Sequence, residues 1–108
     1  MKVYTLGDLR EQIKSFPLFE LISTPTPLYS LEKLSNELGG PKILIKRDDL
    51  TGLAFGGNKS RKLEFILGDA LKKGADTVLT WGALQSNWCL QTAAAARKAG
   101  LRPVLLLF

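Results

Sequence analysis

Phe55-Gly56-Gly57-Asn58-Lys59-Ser60-Arg61-Lys62-Leu63-Glu64 runs from a double-glycine turn into a helix. Apolar spacing marks the helix. Leu63, Ile66, Leu67, Ala70 and Leu71 recur at i, i+3, i+4, i+7 and i+8, the spacing of one buried face. Lys72 and Lys73 suit its negative C-terminal end, and Gly74 can adopt a left-handed cap. Thr77 to Trp81 then reads as a strand. Gly82 to Gln85 is a polar turn, and a helix runs from about Ser86 to Ala99 with Ser86 as its cap. Gly100 closes that helix after Arg97 and Lys98, and Val104 to Phe108 forms a last strand. Helix, strand, helix, strand predicts an α/β fold with a parallel sheet and crossover helices.

Upstream the signals are shorter. Leu6 to Lys14 reads as a helix with Leu9 and Ile13 on one face, ended by Pro17. Thr24-Pro25-Thr26-Pro27 reads as an extended connector, because proline disfavours helix in the residue before it. Ser30 is expected to cap a second helix with Leu31, Leu34 and Leu38 as its stripe and Gly39-Gly40 as its stop. Ile43-Leu44-Ile45 is expected to be a buried strand. It leads into Lys46 to Gly52, at the strand end that faces ligand in open α/β sheets.

The 108 residues suffice for one small domain of ordinary globular composition, 45% hydrophobic and 23% charged. No window is apolar enough to span a bilayer, and the N-terminus lacks the apolar region of a secretory signal, so a cytoplasmic location is expected. The net charge of +5 raises the question of a polyanionic partner. The basic residues are scattered among ten acids, however, and no nucleic-acid module is recognisable. Cys89 is the single cysteine, so there is no intrachain disulfide, and its apolar helical setting suits a small core residue. The absence of histidine excludes a Ser-His-Asp triad, a Cys-His dyad and a histidine metal site within these residues. A parallel sheet is normally covered on both faces. Three short strands and four helices supply little cover for a strand like 104–108, which suggests a fragment of a larger protein or a need for a partner chain.

Two places carry candidate chemistry. At Gly56-Gly57-Asn58-Lys59 the glycines permit close backbone approach, Asn58 is a good cap, and Lys59 is a potential Schiff-base amine. Lys59, Arg61 and Lys62 crowd positive charge at the positive end of the helix, which is unfavourable unless an anion is near. A phosphate-bearing aldehyde would use both the amine and the anion site. The bland alternative is a surface lysine cluster with its heads in water. At Gly82-Ala83-Leu84-Gln85-Ser86-Asn87 three polar side chains at a helix mouth could hold a carboxylate or a phenolic oxygen; the alternative is an ordinary cap. Asp48 and Asp49, as strand neighbours, would point to opposite faces, so structural pairing with Lys46, Arg47 or a helix end is expected rather than shared acid–base work. Trp81 and Trp88 are expected to be core or interface residues.

Taken in order, Ile45 to Gly52, Gly56 to Glu64, Gly74-Ala75-Asp76-Thr77, Gln85-Ser86-Asn87 and Gln91 to Ala95 resemble the pyridoxal 5'-phosphate (PLP) enzymes of the D-cysteine desulfhydrase and 1-aminocyclopropane-1-carboxylate (ACC) deaminase family, of the tryptophan synthase β-subunit-like fold, fold type II. The match runs from about Thr24 to the C-terminus. The ordered set is specific where each motif alone is not. The resemblance implies that Lys59 carries PLP as a Schiff base and later moves protons. It implies that Asn58 lies beside the cofactor and that Asn87 bonds the pyridine 3-oxygen. It also implies that Gln85, Ser86 and Asn87 hold the substrate carboxylate, with a direct catalytic role for Ser86. It places residues 1–60 in the N-terminal part of the larger PLP domain and 61–108 in the opening βαβ portion of the smaller one.

Two departures stand out. Trp88 occupies a place where relatives commonly have histidine or glutamine, which bears on pocket shape. Family members also continue well beyond Phe108, so the glycine-rich phosphate loop, the partner of the pyridine nitrogen and the substrate tyrosines lie outside these residues. The expectation is the N-terminal portion of a PLP-dependent lyase or deaminase for a small amino acid, D-cysteine ahead of ACC, with little activity alone. The full-length form is expected to be a homo-oligomer, or this chain to be completed by a C-terminal portion, without nucleic-acid or membrane partners. The alternatives are a non-catalytic folded fragment or interaction module, and a small basic anion- or nucleic-acid-binding protein.

Overall fold

The computed structural model describes residues 3–108. The order is α1 (Leu6–Lys14), β1 (Leu28–Ser30), α2 (Glu32–Leu38), β2 (Leu44–Lys46), a 3-10 turn (Asp48–Leu50), α3 (Lys59–Lys72), β3 (Thr77–Gly82), α4 (Asn87–Lys98) and β4 (Arg102–Leu107). The second half follows the sequence pattern. β3 and β4 pair in parallel, with Thr77 opposite Arg102 and Gly82 opposite Leu107, and α4 crosses between them. Gly74 takes the left-handed conformation expected beyond α3, at φ +73°.

The core lies between α3, α4 and the sheet. Leu63 and Leu67 from α3 meet Ala95 and Ala96 from α4, with Leu21, Leu53 and Leu101 closing the cluster. Burial alternates along β3 as strand geometry requires. Val78 packs on the core and Thr80 is buried, while Leu79 and Trp81 are exposed. Trp81 is therefore not a core residue, being 64% exposed. The shortage of cover expected for the last strand is seen: α4 packs on one side of β4, while Leu106 and Phe108 remain open. Ile66, counted into the buried face of α3, is also exposed.

The first half departs further. Ser30 does not cap α2. It is the last residue of β1, which pairs antiparallel with β2 and sets Ser30 opposite Leu44. Leu31 N–H continues that pairing to Ile43 O at 2.9 Å, so the chain is held extended one residue past Ser30 and the helix opens at Glu32 without a side-chain cap. The strand expected at Ile43–Ile45 lies one residue further on and is not buried. Leu34 and Leu38 form no packed stripe, because no other element packs on α2. α1 likewise buries nothing and is defined by its capping box, in which Asp8 N–H donates to Thr5 Oγ1 while Thr5 N–H donates to Asp8 Oδ2. The radius of gyration is 17.3 Å, against about 13 Å for a compact domain of this length. The outlying α1 and the β1–α2–β2 unit account for the excess.

The connectors fasten these parts to α3. Phe19 N–H donates to Glu64 O at 3.0 Å, and the Glu64 carboxylate accepts from the backbone of Leu21 and Ile22 at 3.0 and 3.2 Å. Residues 17–18 pass so close to α3 that a side-chain carbon at Gly68 would stand 2.5 Å from Pro17 O.

Candidate functional site

Each polar residue at the start of α3 has a different fate. Ser60 is fully buried; its hydroxyl bonds Gly57 O at 2.6 Å and lies 3.1 Å from Thr51 Oγ1. Arg61 forms a forked pair with Asp48, Nε to Oδ2 at 2.7 Å and Nη2 to Oδ1 at 2.8 Å, and Nη2 also reaches Thr26 Oγ1 at 2.9 Å. The Thr26 hydroxyl in turn donates to Asp48 at 2.7 Å. Such two-pronged charged bonds are strong and directional. The Arg61 and Thr26 hydrogen bonds hold the Asp48 carboxyl well below the usual carboxylate range, and the same contact raises Arg61. Asp49 pairs with Arg47 as expected, at 2.7 Å, and is lowered by it. Asp48 pairs with Arg61 in the first turn of α3, thirteen positions on, which is the helix-end partner expected. The two adjacent carboxylates stand in a 3-10 turn rather than on a strand, and they still serve different partners.

With Arg61 neutralised, Lys59 and Lys62 are left. Three residues apart, they share a face of α3. Neither has a hydrogen bond or ion pair among the described residues. Asn58 occupies the cap position but its side chain does not cap: the backbone is already helical there, at φ −69° and ψ −14°. The first-turn amides of α3 thus keep their donors and their partial positive charge.

The second motif arrives beside the first. Ser86 caps α4 as expected, its Oγ accepting from Cys89 N–H at 3.3 Å. Gln85 and Asn87 are exposed and carry no side-chain bond among the described residues. α4 packs on α3 so that a side-chain carbon at Gly57 would stand 3.4 Å from Asn87 Nδ2 and 3.0 Å from Gln91 Nε2. The turn that introduces Lys59 and the mouth of α4 that carries Asn87 are therefore one place. Trp88 points the other way. Its Nε1 donates to Thr80 Oγ1 at 2.7 Å and its ring packs on the core, beside buried Cys89. Two concavities, of about 330 and 500 Å³, lie apart from this place around α2 and include none of its residues.

Three contributors have no role assigned from the sequence, although the last two fall within the motifs that carry the resemblance: Thr26, Thr51 and Gln91. Gln91 has a usable signal. It lies four residues after Asn87, on the same face of an alanine-rich helix, where a buried glutamine needs a partner. Thr26 and Thr51 have none, because their partners are set by the bend of the chain rather than by helical or strand spacing.

Residues 20–108 match the family of pyridoxal-phosphate dependent enzymes. The chain belongs to that family. Among its curated relatives is the D-cysteine desulfhydrase of Klebsiella pneumoniae subsp. pneumoniae, 58% identical over 97 residues, which are 90% of this chain and 29% of the relative. The D-cysteine desulfhydrase of Salmonella paratyphi B is 60% identical over 92 residues, 85% of this chain and 28% of the relative. A solved structure described as an ACC deaminase homologue superposes with a TM-score of 0.85 at 52% identity, over 90% of this chain and 30% of the other. The chain thus spans under a third of the length of these relatives and corresponds to their N-terminal part. Among the described residues no helix is long and apolar enough to cross a membrane.

The residues present fit the family's cofactor. PLP brings a phosphate dianion, an aldehyde and a ring oxygen. The site offers an uncapped helix start flanked by two unneutralised lysines. Lys59 carries a primary amino group without a partner, and side-chain amides at Asn58, Gln85 and Asn87 have no protein partner among the described residues.

Proposed function

We propose that this chain supplies the reactive lysine and one wall of the site of a PLP-dependent lyase or deaminase acting on a small amino acid, D-cysteine ahead of ACC. The observation that carries the reading is the approach of Asn87 Nδ2 to within 3.4 Å of the side-chain position at Gly57, two residues before Lys59. Two motifs roughly thirty residues apart thereby border one space.

When bound, PLP supplies the electron sink for bond cleavage at the substrate α-carbon. The chain's own residues do the rest. Lys59 Nζ would hold the cofactor's aldehyde group and would serve to take and return a proton. Asn87 would donate to the ring oxygen, and Asn58 would border the ring. Gln85, Ser86 and Asn87 hold the substrate carboxylate. The Ser86 oxygen accepts a helix amide, which leaves its proton to donate. Trp88 is turned into the core and acts on the site through packing. On this reading residues 1–60 belong to the larger domain and 61–108 open the smaller one, with the join inside the first turn of α3. The open β3–β4 face, with Leu79, Trp81 and Leu106, is where a C-terminal portion or a second copy would dock. A cytoplasmic location and the absence of a nucleic-acid partner belong to the same proposal.

The test is chemical. The protein is incubated with PLP, reduced with borohydride and digested, and the modified peptide is identified. The expected adduct sits on Lys59 and is lost in Lys59→Ala. Labelling spread over Lys62, Lys72 and Lys73 at equal yield would leave a surface lysine cluster, and the reading would fall. Sulfide release from D-cysteine, against 2-oxobutanoate release from ACC, then separates the two substrates.

A further inference from the structure

We propose that Gln91 is a positioning residue: from α4 it grips the Gly56–Gly57 turn and so sets where Lys59 stands relative to Asn87. This rests on the assignment of Lys59 and Asn87 to the proposed PLP site. Gln91 is 0% exposed, and its Nε2 donates to Gly56 O in a short hydrogen bond. Its Nε2 also stands 3.0 Å from where a Gly57 side chain would begin. The turn is gripped on its other side by its own connector. Gly57 N–H donates to Asp48 O at 2.7 Å and lies 3.2 Å from Thr51 Oγ1, while Ser60 holds Gly57 O. Among the described residues, the Gln91 bond is the one hydrogen bond between α4 and this turn.

That matters because the remaining α3–α4 contact is apolar. Leu63 and Leu67 against Ala95 and Ala96 are held by burial, which is non-directional and tolerates sliding. A hydrogen bond from a fixed side chain to a fixed carbonyl does not. Asn87 is four residues before Gln91, on the same helix face. The bond therefore transmits the position of the turn to the residue one helical turn nearer the mouth of α4.

Packing alone does not account for a glutamine here. Its Oε1 is buried with no partner, and a buried acceptor without a partner is unfavourable. A methionine of similar volume would fill the space without that penalty. The polar group is thus used for its direction rather than for stability.

The experiment compares Gln91→Met with the parent, with and without PLP. Thr92→Val, which removes a neighbouring buried hydroxyl that lacks a partner, is the control. For Gln91→Met we expect an unfolding midpoint equal to or above that of the parent. Amide exchange should speed at Gly57, Asn58 and Lys59 but not along the rest of α3 and α4. The dissociation constant for PLP should weaken about tenfold. Thr92→Val should leave exchange in the turn and PLP affinity unchanged. The proposal is overturned if Gln91→Met leaves turn exchange and PLP affinity within twofold of the parent. It is also overturned if exchange rises uniformly with a fall in the midpoint, or if both Gln91→Met and Gln91→Leu fail to fold, since each assigns Gln91 to the core. A parent that takes no PLP on Lys59 defeats the proposed function separately, and the cofactor-free exchange still decides the role of Gln91 in the turn.

Discussion

Gly56 and Gly74 are a natural pair for measuring what the turn before Lys59 withstands. Their φ angles are +74° and +73°, so an alanine at either meets the same backbone strain, about 1–2 kcal/mol for an L-residue in the left-handed region. Their surroundings differ. At Gly74 nothing lies within 4 Å of the added carbon, so strain is the whole cost. At Gly56 the carbon would fall 1.9 Å from Asp49 O and 2.7 Å from Asp49 C, both backbone atoms that no rotamer change can move. The turn must open. Opening it strains the Gly57 N–H bond to Asp48 O and pulls Gly56 O away from Gln91. Overpacking of this kind costs about 1–3 kcal/mol, and a buried donor stripped of its acceptor about 1–3 kcal/mol more. Gly56→Ala should therefore be less stable than Gly74→Ala by about 2–6 kcal/mol. Urea unfolding followed by circular dichroism reads this directly, as a midpoint about 1–3 M lower for a typical denaturant slope. Gly56→Ala should also slow borohydride-trapped PLP attachment to Lys59, and Gly74→Ala should not. Equal stability of the two variants, within about 0.5 kcal/mol, would show that the turn has no fixed geometry to lose, and the account of the site would go with it.

Three other contacts give further expected outcomes. Glu64→Ala removes the acceptor of two backbone amides and should destabilise by about 1–3 kcal/mol, with faster exchange at Leu21 and Ile22; Glu64→Gln, which keeps one acceptor oxygen, should lose less. Asp48→Asn should change the acid limb of stability. The folded-state pKa of Asp48 is depressed, so its contribution is present above the ordinary carboxylate range and is lost as pH falls through the depressed value; the variant should be less stable at neutral pH and flatter toward acid, and an unchanged pH profile would count against the Arg61 pairing. Thr5→Ala should melt α1 without moving the global midpoint, because a nine-residue helix with no buried residue is shorter than the roughly 12–15 residues an isolated helix needs; loss of α1 amide protection beside an unaltered urea transition is the expected pair of readings.

Local rules settle the second half of the molecule from sequence. The spacing from Leu63 to Leu71, the glycine after Lys73 and the serine ahead of α4 each act within a few residues, and α3, β3 and α4 stand within about a residue of where those signals put them, while β4 begins at Arg102, ahead of the apolar run from Val104. The position of Lys59 at a helix start is legible for the same reason, as is the place of Ser86. The same rules fail at Ser30. A cap and a strand end look alike in sequence when the choice depends on a partner residue, Leu44, on another strand. The lysine-rich start of α3 reads in sequence as three cations together. Only the folded chain shows that Arg61 is neutralised by Asp48 while Lys59 and Lys62 are not, since charge pairing across a turn depends on how that turn bends. Gln91 shows the limit best: its place on the face of Asn87 follows from helical periodicity, but its hold on Gly56 exists only because α3 and α4 pack side by side. Residue types and their periodicity determined the elements of the second half and set a lysine at the start of α3. Contacts between segments remote in sequence decided which charges stay free and which atoms meet, because such contacts form only when the whole core closes.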